Sequence, residues 1–473
     1  MPESRRTPAA GAPGRVTSHP IRITHPEGPG AHRGGLTEPG SPGLDRPPQF
    51  HGKDLWTPFE CGSSNPFSPN GFGRKVRAWS RGAKTTKFPH AASAPPQPPY
   101  VILSRVKLRQ FRNLGNQDLE LPAEGVAIIG ANAQGKSNFL EAIYYLETFR
   151  SFRGARDDQI LAFDGDVFRV AGELQDPLDG SGAIEIAAAY QRRGRRKKVT
   201  VNGVEPGRLG DALGRVAAVL FSPSDVGIVS EGPGERRRFL DIVLSLNEAG
   251  YLEALQRFRH VLAQRNAALR DDQPGAAVGA WNGALIRSGG HVIRSRARWI
   301  ADHEEGFGRY HEAISGGRWA TLRYQPNVGP VEEYGEEAVE AAFGEALRDG
   351  ADVERRMRTT MVGPQRDDMT ITVEGARDVD VRDYGSGGQR RTAALSLRLV
   401  EAATIRAARG QEPLVLMDDA FAELDADRSE RILELMEREE SGQVILTAPK
   451  ESDLRFRERN LPRWRIEDGT FVS

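Results

Sequence analysis

Gly130-Ala131-Asn132-Ala133-Gln134-Gly135-Lys136-Ser137 fits the pattern G-x-x-x-x-G-K-S/T. Phosphate chemistry needs this spacing. The glycines let backbone N–H groups curl around a phosphate, and a helix starting behind the loop adds partial positive charge. Lys136 would neutralise β- and γ-phosphate oxygens, Ser137 would hold Mg²⁺, and Asn138 belongs to the helix start behind them. A chance Gly-rich turn is the bland alternative. It is disfavoured because an apolar run, Gly125 to Ile129, precedes the loop, and Phe139, Ile143 and Leu146 follow at helical spacing. Leu414-Val415-Leu416-Met417 is a second apolar run, and it ends in Asp418 and Asp419. Asp418 would hold Mg²⁺ through water, and Asp419 would orient or deprotonate the attacking water. Alone, such a pair is often a turn or a helix cap. Its place some 280 residues after the loop suits a nucleotidase split by an insertion. The expected set is therefore Lys136 and Asp419 as catalytic groups, Ser137 and Asp418 as metal ligands, and Gly130 to Asn138 as the nucleotide cradle.

Tyr384-Gly385-Ser386-Gly387-Gly388-Gln389 opens a helix about 30 residues before the Asp pair. It resembles the signature motif of the ABC ATPase superfamily, in which Ser386 and the amides of Gly387 and Gly388, with Gln389, would meet the γ-phosphate bound to a second subunit. ATP is then sandwiched in a dimer that hydrolysis opens. Ala422-Glu423-Leu424-Asp425 matches the loop that couples the two sites.

Further stretches narrow the resemblance to the RecF family of bacterial DNA gap-repair ATPases. They are Arg109-Gln110-Phe111-Arg112-Asn113, Ser151-Phe152-Arg153, Gly232 to Asp241, Gln264-Arg265-Asn266 and Gly363-Pro364-Gln365-Arg366-Asp367-Asp368. Together they cover residues 101–473. The resemblance implies an α/β fold, an ABC-ATPase-like P-loop head with an inserted helical lobe, and adds Arg112 and Arg153 to the ATP-binding set. It also implies a weak, DNA-stimulated ATPase with a composite site. Such a protein forms an ATP-dependent homodimer, binds gapped DNA or junctions of single- and double-stranded DNA, and works with RecR and RecO to load recombinase. Gln365 stands where the family pattern has His, Ser224 near where it has Glu, and Thr447 to Lys450 offer no terminal His. A histidine sensor of the γ-phosphate is not expected.

The elements that must position these residues can be read from periodicity. Strands are predicted at Val101–Leu108, Gly125–Gly130, Val167–Leu174, Ala183–Tyr190 and Lys198–Val201. Phe239, Ile242 and Val243, then Leu252, Leu255, Phe258 and Leu262, repeat at helical spacing. Pro274, Gly289-Gly290, Gly316-Gly317 and Pro326 are expected to interrupt that region, so no long heptad array is possible. Strand Met369–Val373, helix Arg391–Ala408 and strands Leu414–Met417 and Val444–Thr447 follow. The expected division is an extension over 1–99, the first half of the head over 100–230, a helical lobe over 231–350 and the second half of the head over 351–473.

Composition sets the outer bounds. The chain has 473 residues, 65 Lys+Arg and 65 Asp+Glu. Residues 1–100 hold 13 and 6 of these, and the remaining 373 hold 52 and 59, so a cationic segment precedes an anionic body. That first segment carries 18 of the 30 prolines and reads as disordered coil. It could be a basic tail, a linker or upstream sequence read through from too early a start. The last is favoured, although no Met stands between Met1 and Met357 to supply a later start. The only cysteine is Cys61, which excludes disulfides, Cys-ligated zinc and thiol catalysis in the body and fits a reducing cytoplasm. No apolar run approaches a membrane span.

Arg192 to Lys198 places six cations in seven residues, at an expected hairpin tip that either contacts DNA phosphates or is simply solvated. Arg236 to Arg238, Arg294, Arg296 and Arg298 are expected mostly to pair with neighbouring carboxylates, although Arg236 to Arg238 also count as a local cation source for DNA. Two other readings compete: a divergent SMC-like or ABC-type ATPase of DNA maintenance or defence, and a nucleotide-gated scaffold with little turnover. A transporter ATPase fits the insert and the missing terminal His less well.

Overall fold

A computed structural model describes residues 100–175, 182–329, 331, 333–375, 378–419, 426–439, 442–453 and 461–472. The expected extension, 1–99, and the coupling loop, 422–425, lie outside them.

Two sheets carry the head. The first is antiparallel, in the order β2 (Gln117–Glu120), β1 (Ile102–Arg109), β4 (Val167–Gln175), β5 (Ala183–Gln191), β6 (Arg196–Val201). The second runs β14 (Thr470–Val472), β13 (Arg463–Glu467), β3 (Gly125–Ile129), β12 (Val444–Ala448), β11 (Leu414–Asp418), β7 (Ala218–Phe221). All its pairings are parallel except β13 with β14. Every residue of β7, β11 and β12 is buried. Such buried, mostly apolar runs are what a parallel sheet covered on both faces requires. The P-loop helix Lys136–Thr148 packs between the two sheets, and Phe139, Ile143 and Leu146 join one apolar core with Val106, Leu108, Ile128 and Leu416.

The middle region departs from the sequence reading in two ways. Gly289 and Gly290 do not break it, because one helix runs without interruption from Asn282 to Ser315. At 34 residues it is about 50 Å long. Gly289 is there for close approach. A Cβ at that position would lie 2.6 Å from the ring of Phe343 and 3.0 Å from that of Phe258, so glycine lets two neighbouring helices, Tyr251–Arg270 and Glu336–Asp349, come in against it. The region is also not purely helical. β8 (Ala320–Gln325) pairs antiparallel with β9 (Asp368–Val373), which pairs with β10 (Val379–Asp380). That small sheet crosses the expected boundary at residue 350. Apolar alternation in Ala320, Leu322 and Tyr324 is the period-2 signal that identifies such a strand.

Buried arginines fasten the stretch Gly363 to Asp368 in place. Arg296 donates to Asp241 Oδ1 at 2.8 Å, to Asp367 Oδ2 at 3.2 Å and to the Pro364 carbonyl at 2.7 Å. Arg236 forms a two-point pair with Asp368 at 2.6 and 2.9 Å, and Arg237 donates to the Asp367 carbonyl at 2.6 Å. The expected pairing of helical arginines with carboxylates therefore holds for Arg236, Arg294 (with Glu336), Arg296 and Arg298 (with Glu248). Arg236 is buried against Asp368, which removes it from the cations that the stretch 236–238 was expected to offer DNA. Among the described residues no helix is long and apolar enough to cross a membrane.

Candidate nucleotide site

Parallel strands end together, and loops leaving their carboxyl ends form the crevice where α/β sheets take ligands. Here β3 hands the chain to the P-loop, β12 lies beside it, and β11 comes next, with Thr447 in register with both Ile128 and Asp418. Adjacent strand ends thus bring residues 130–138 to Asp418 across some 280 residues of sequence.

Gly135 occupies the left-handed region at φ 111 and starts the helix with no side-chain cap, so the first-turn N–H groups are available to an anion. Lys136 is buried and its ammonium donates to the carbonyls of Gly130 at 2.9 Å and Ala131 at 3.3 Å. Asn132 and Ala133 form the exposed tip, and Ala133 also has a positive φ. The β13–β14 turn closes the loop from outside: Asp468 N donates to Gln134 Oε1 at 2.5 Å, and Gly469 N donates to the Gln134 carbonyl at 3.0 Å. Asn113 Nδ2 donates to the Ala133 carbonyl at 3.3 Å, while Asn138 Nδ2 donates to Asn113 Oδ1 at 2.7 Å.

Asp418 is buried at the end of β11. Burial pushes its carboxyl above the ordinary range. A hydrogen bond with Ser137 opposes this, the charge on Asp419 adds to it, and Arg153 and a hydrogen bond with Thr447 also oppose it. Ser137 and Asp418 therefore touch, and a hydroxyl beside a desolvated carboxylate is a hard-oxygen donor pair suited to Mg²⁺. Sequence reasoning did not assign Thr447. Its hydroxyl lies 3.2 Å from an oxygen of each aspartate, and it accepts from Asp419 N at 3.0 Å. Asp419 has φ 45, a turn conformation that departs from the line of the strand.

The Arg112 guanidinium is engaged by Glu141 at 2.9 and 2.7 Å and by the Gln159 carbonyl at 3.2 Å. Arg153 Nη1 donates to Asn138 Oδ1 at 3.0 Å and stands by the first turn of the P-loop helix. Ser386 and Gln389 cap the helix Gly387–Arg409 reciprocally: Ser386 Oγ accepts from Gln389 N at 3.2 Å, and Ser386 N donates to Gln389 Oε1 at 2.8 Å. A Cβ on Gly387 would meet open space among the described residues. Among the described residues no hydrogen bond or ion pair joins 386–389 to 130–138.

Residues 102–462 match the RecF/RecN/SMC N terminal domain family. The DNA replication and repair protein RecF of Synechococcus sp. (strain JA-3-3Ab) is 37% identical over 73% of this chain and 91% of its own length. That of Roseiflexus castenholzii is 34% identical over 78% and 99%. A solved structure of the recombination mediator protein RecF-ATP in the RecFOR pathway superposes with a TM-score of 0.72 at 30% identity, covering 79% of this chain and 97% of that one. The fold is the α/β ABC-type head that the motifs implied, and the chain belongs to the RecF family of DNA replication and repair proteins.

Proposed function

We propose that the protein is an ATPase of DNA replication and recombinational repair that dimerises on ATP and then binds DNA at single/double-strand junctions. The observation that carries this is the convergence of Lys136, Ser137, Asp418 and Asp419 at the ends of neighbouring strands, with the signature helix capped, exposed and unconnected to that site. The P-loop amides and Lys136 bind the phosphates, and Ser137 with Asp418 would hold Mg²⁺, which neutralises charge on the β- and γ-phosphates. Asp419, braced by Thr447, orients or deprotonates the attacking water. Ser386 and the Gly387 and Gly388 amides complete the site of a second copy. The ATP complex known for a RecF relative supports the nucleotide assignment. The same relative's RecFOR pathway makes RecR and RecO the partner proteins to test.

Light scattering of the full chain tests the reading. ATP should double the mass and a gapped duplex should join the dimer, whereas Lys136→Ala should remain monomeric under both conditions. A wild-type chain that stays monomeric with ATP and DNA sinks the proposal.

A further inference from the structure

Glu141 lies one helical turn beyond Ser137 and is fully buried among Phe139, Leu140, Ala142 and Ile143. A buried carboxylate is strongly unfavourable unless it is paired. Its oxygens take both prongs of Arg112 at 2.9 and 2.7 Å, and Ser151 Oγ donates to Oε1 at 2.5 Å. Arg153 Nη1 stands 3.8 Å from Oε2, within ion-pair reach but too far for a hydrogen bond. Arg153 N donates to Ser151 Oγ at 3.0 Å. Glu141 therefore reaches Arg153 twice: through Ser151 at the backbone, and loosely at the guanidinium. One carboxylate faces two guanidinium groups and satisfies only one.

We propose that Glu141 is a positioning residue that holds Arg153 ready for the terminal phosphate of the bound nucleotide; this rests on the nucleotidase reading above. Arg112 neutralises Glu141 permanently through the two-point pair. Arg153 can then turn to an anion without leaving a buried carboxylate unpaired. Its direction of reach follows from its surroundings. It contacts Asn138 in the first helical turn, one residue beyond Ser137, and that turn of a P-loop helix faces the phosphates. ADP lacks the group it would meet.

The test compares ADP with the non-hydrolysable β,γ-imido analogue of ATP by calorimetry on the full chain. Glu141→Gln keeps the shape but leaves one acceptor oxygen where there were two, and turns an NH₂ toward guanidinium donors. It should weaken the ATP analogue about tenfold and ADP less than about twofold, as expected for a charge-assisted contact. Arg153→Ala should show the same selective loss, and the double variant should be no worse than Arg153→Ala alone. If Glu141→Gln does not fold, Ser151→Ala cuts the other link to Arg153 and should show a smaller loss of the same selectivity. Equal weakening of both nucleotides, or losses that add in the double variant, would reduce Glu141 to a packing role and overturn the proposal. A wild-type chain that binds neither nucleotide overturns the nucleotidase reading itself.

Discussion

At the scale of single residues, the carboxylates of the P-loop helix behave differently from one another. Glu141 is fully engaged, whereas Glu147, at the other end of the helix, is buried with less support. Ala217 N donates to one of its oxygens at 2.9 Å, Arg409 stands 4.0 Å from the other, and Glu401 adds repulsion. Burial pushes its carboxyl up to about 7. In the unfolded chain it loses its proton in the ordinary carboxyl range, so between there and pH 7 the folded state binds more protons than the unfolded one. Stability therefore falls as pH rises through that window and stays lowered above it. Glu147→Gln should remove the slope. In urea unfolding the variant should exceed wild type by up to about 3 kcal/mol at pH 8 and by clearly less at pH 5. A difference that is the same at both pH values would refute this. Lys136, Ser137 and Asp418 were legible in the sequence because their chemistry is written in local spacing. Glu141 left a fainter mark, a lone carboxylate within an apolar helical run. Thr447 left none, because its role comes from register between strands distant in the chain.

Among the elements, the signature helix Gly387–Arg409 separates two roles that the proposed dimer requires. Its N-terminus is capped by its own Ser386 and Gln389 and is exposed, while its body packs against the long helix Asn282–Ser315. Ser386→Arg should therefore leave ATP binding by the monomer within about twofold while abolishing the ATP-dependent doubling of mass, since a helix cap lost at an exposed end costs only about 1 kcal/mol. Calorimetry and light scattering on the same sample check both parts, and loss of monomer ATP binding would place the signature in the chain's own site. Strands and helices of the head could be read from periodicity because each presents one face, or a whole buried run, to the core. The lobe was harder to read. Gly289 and Gly290 look like breakers in sequence and are contact points in space, and β8 finds its partner only after residue 350.

The whole molecule carries its charge unevenly, and the fold decides which cations are free. Of the Arg192 to Lys198 run, Lys197 is turned inward onto the Phe149 carbonyl and Asp157, and Lys198 pairs with Glu205. Arg192 donates to the carbonyls of Ala162 and Phe163, and the Phe163 side chain is 93% exposed. Arg193 and Arg195 are exposed on that hairpin. If they meet DNA phosphates, replacing both with Ala should flatten the log–log salt dependence of binding by about 1.8. A titration series in salt that shows an unchanged slope would remove the hairpin from the DNA interface. Finally, the turn that closes the P-loop sets a clock on biosynthesis. Gln134 is held by Asp468 and Gly469, and β3 lies between β12 and β13, all more than 300 residues downstream. At roughly 5–20 residues per second, tens of seconds separate the synthesis of the phosphate loop from that of the strands that finish it. During that interval the nascent chain carries the nucleotide motif without the turn and strands that flank it in the finished head.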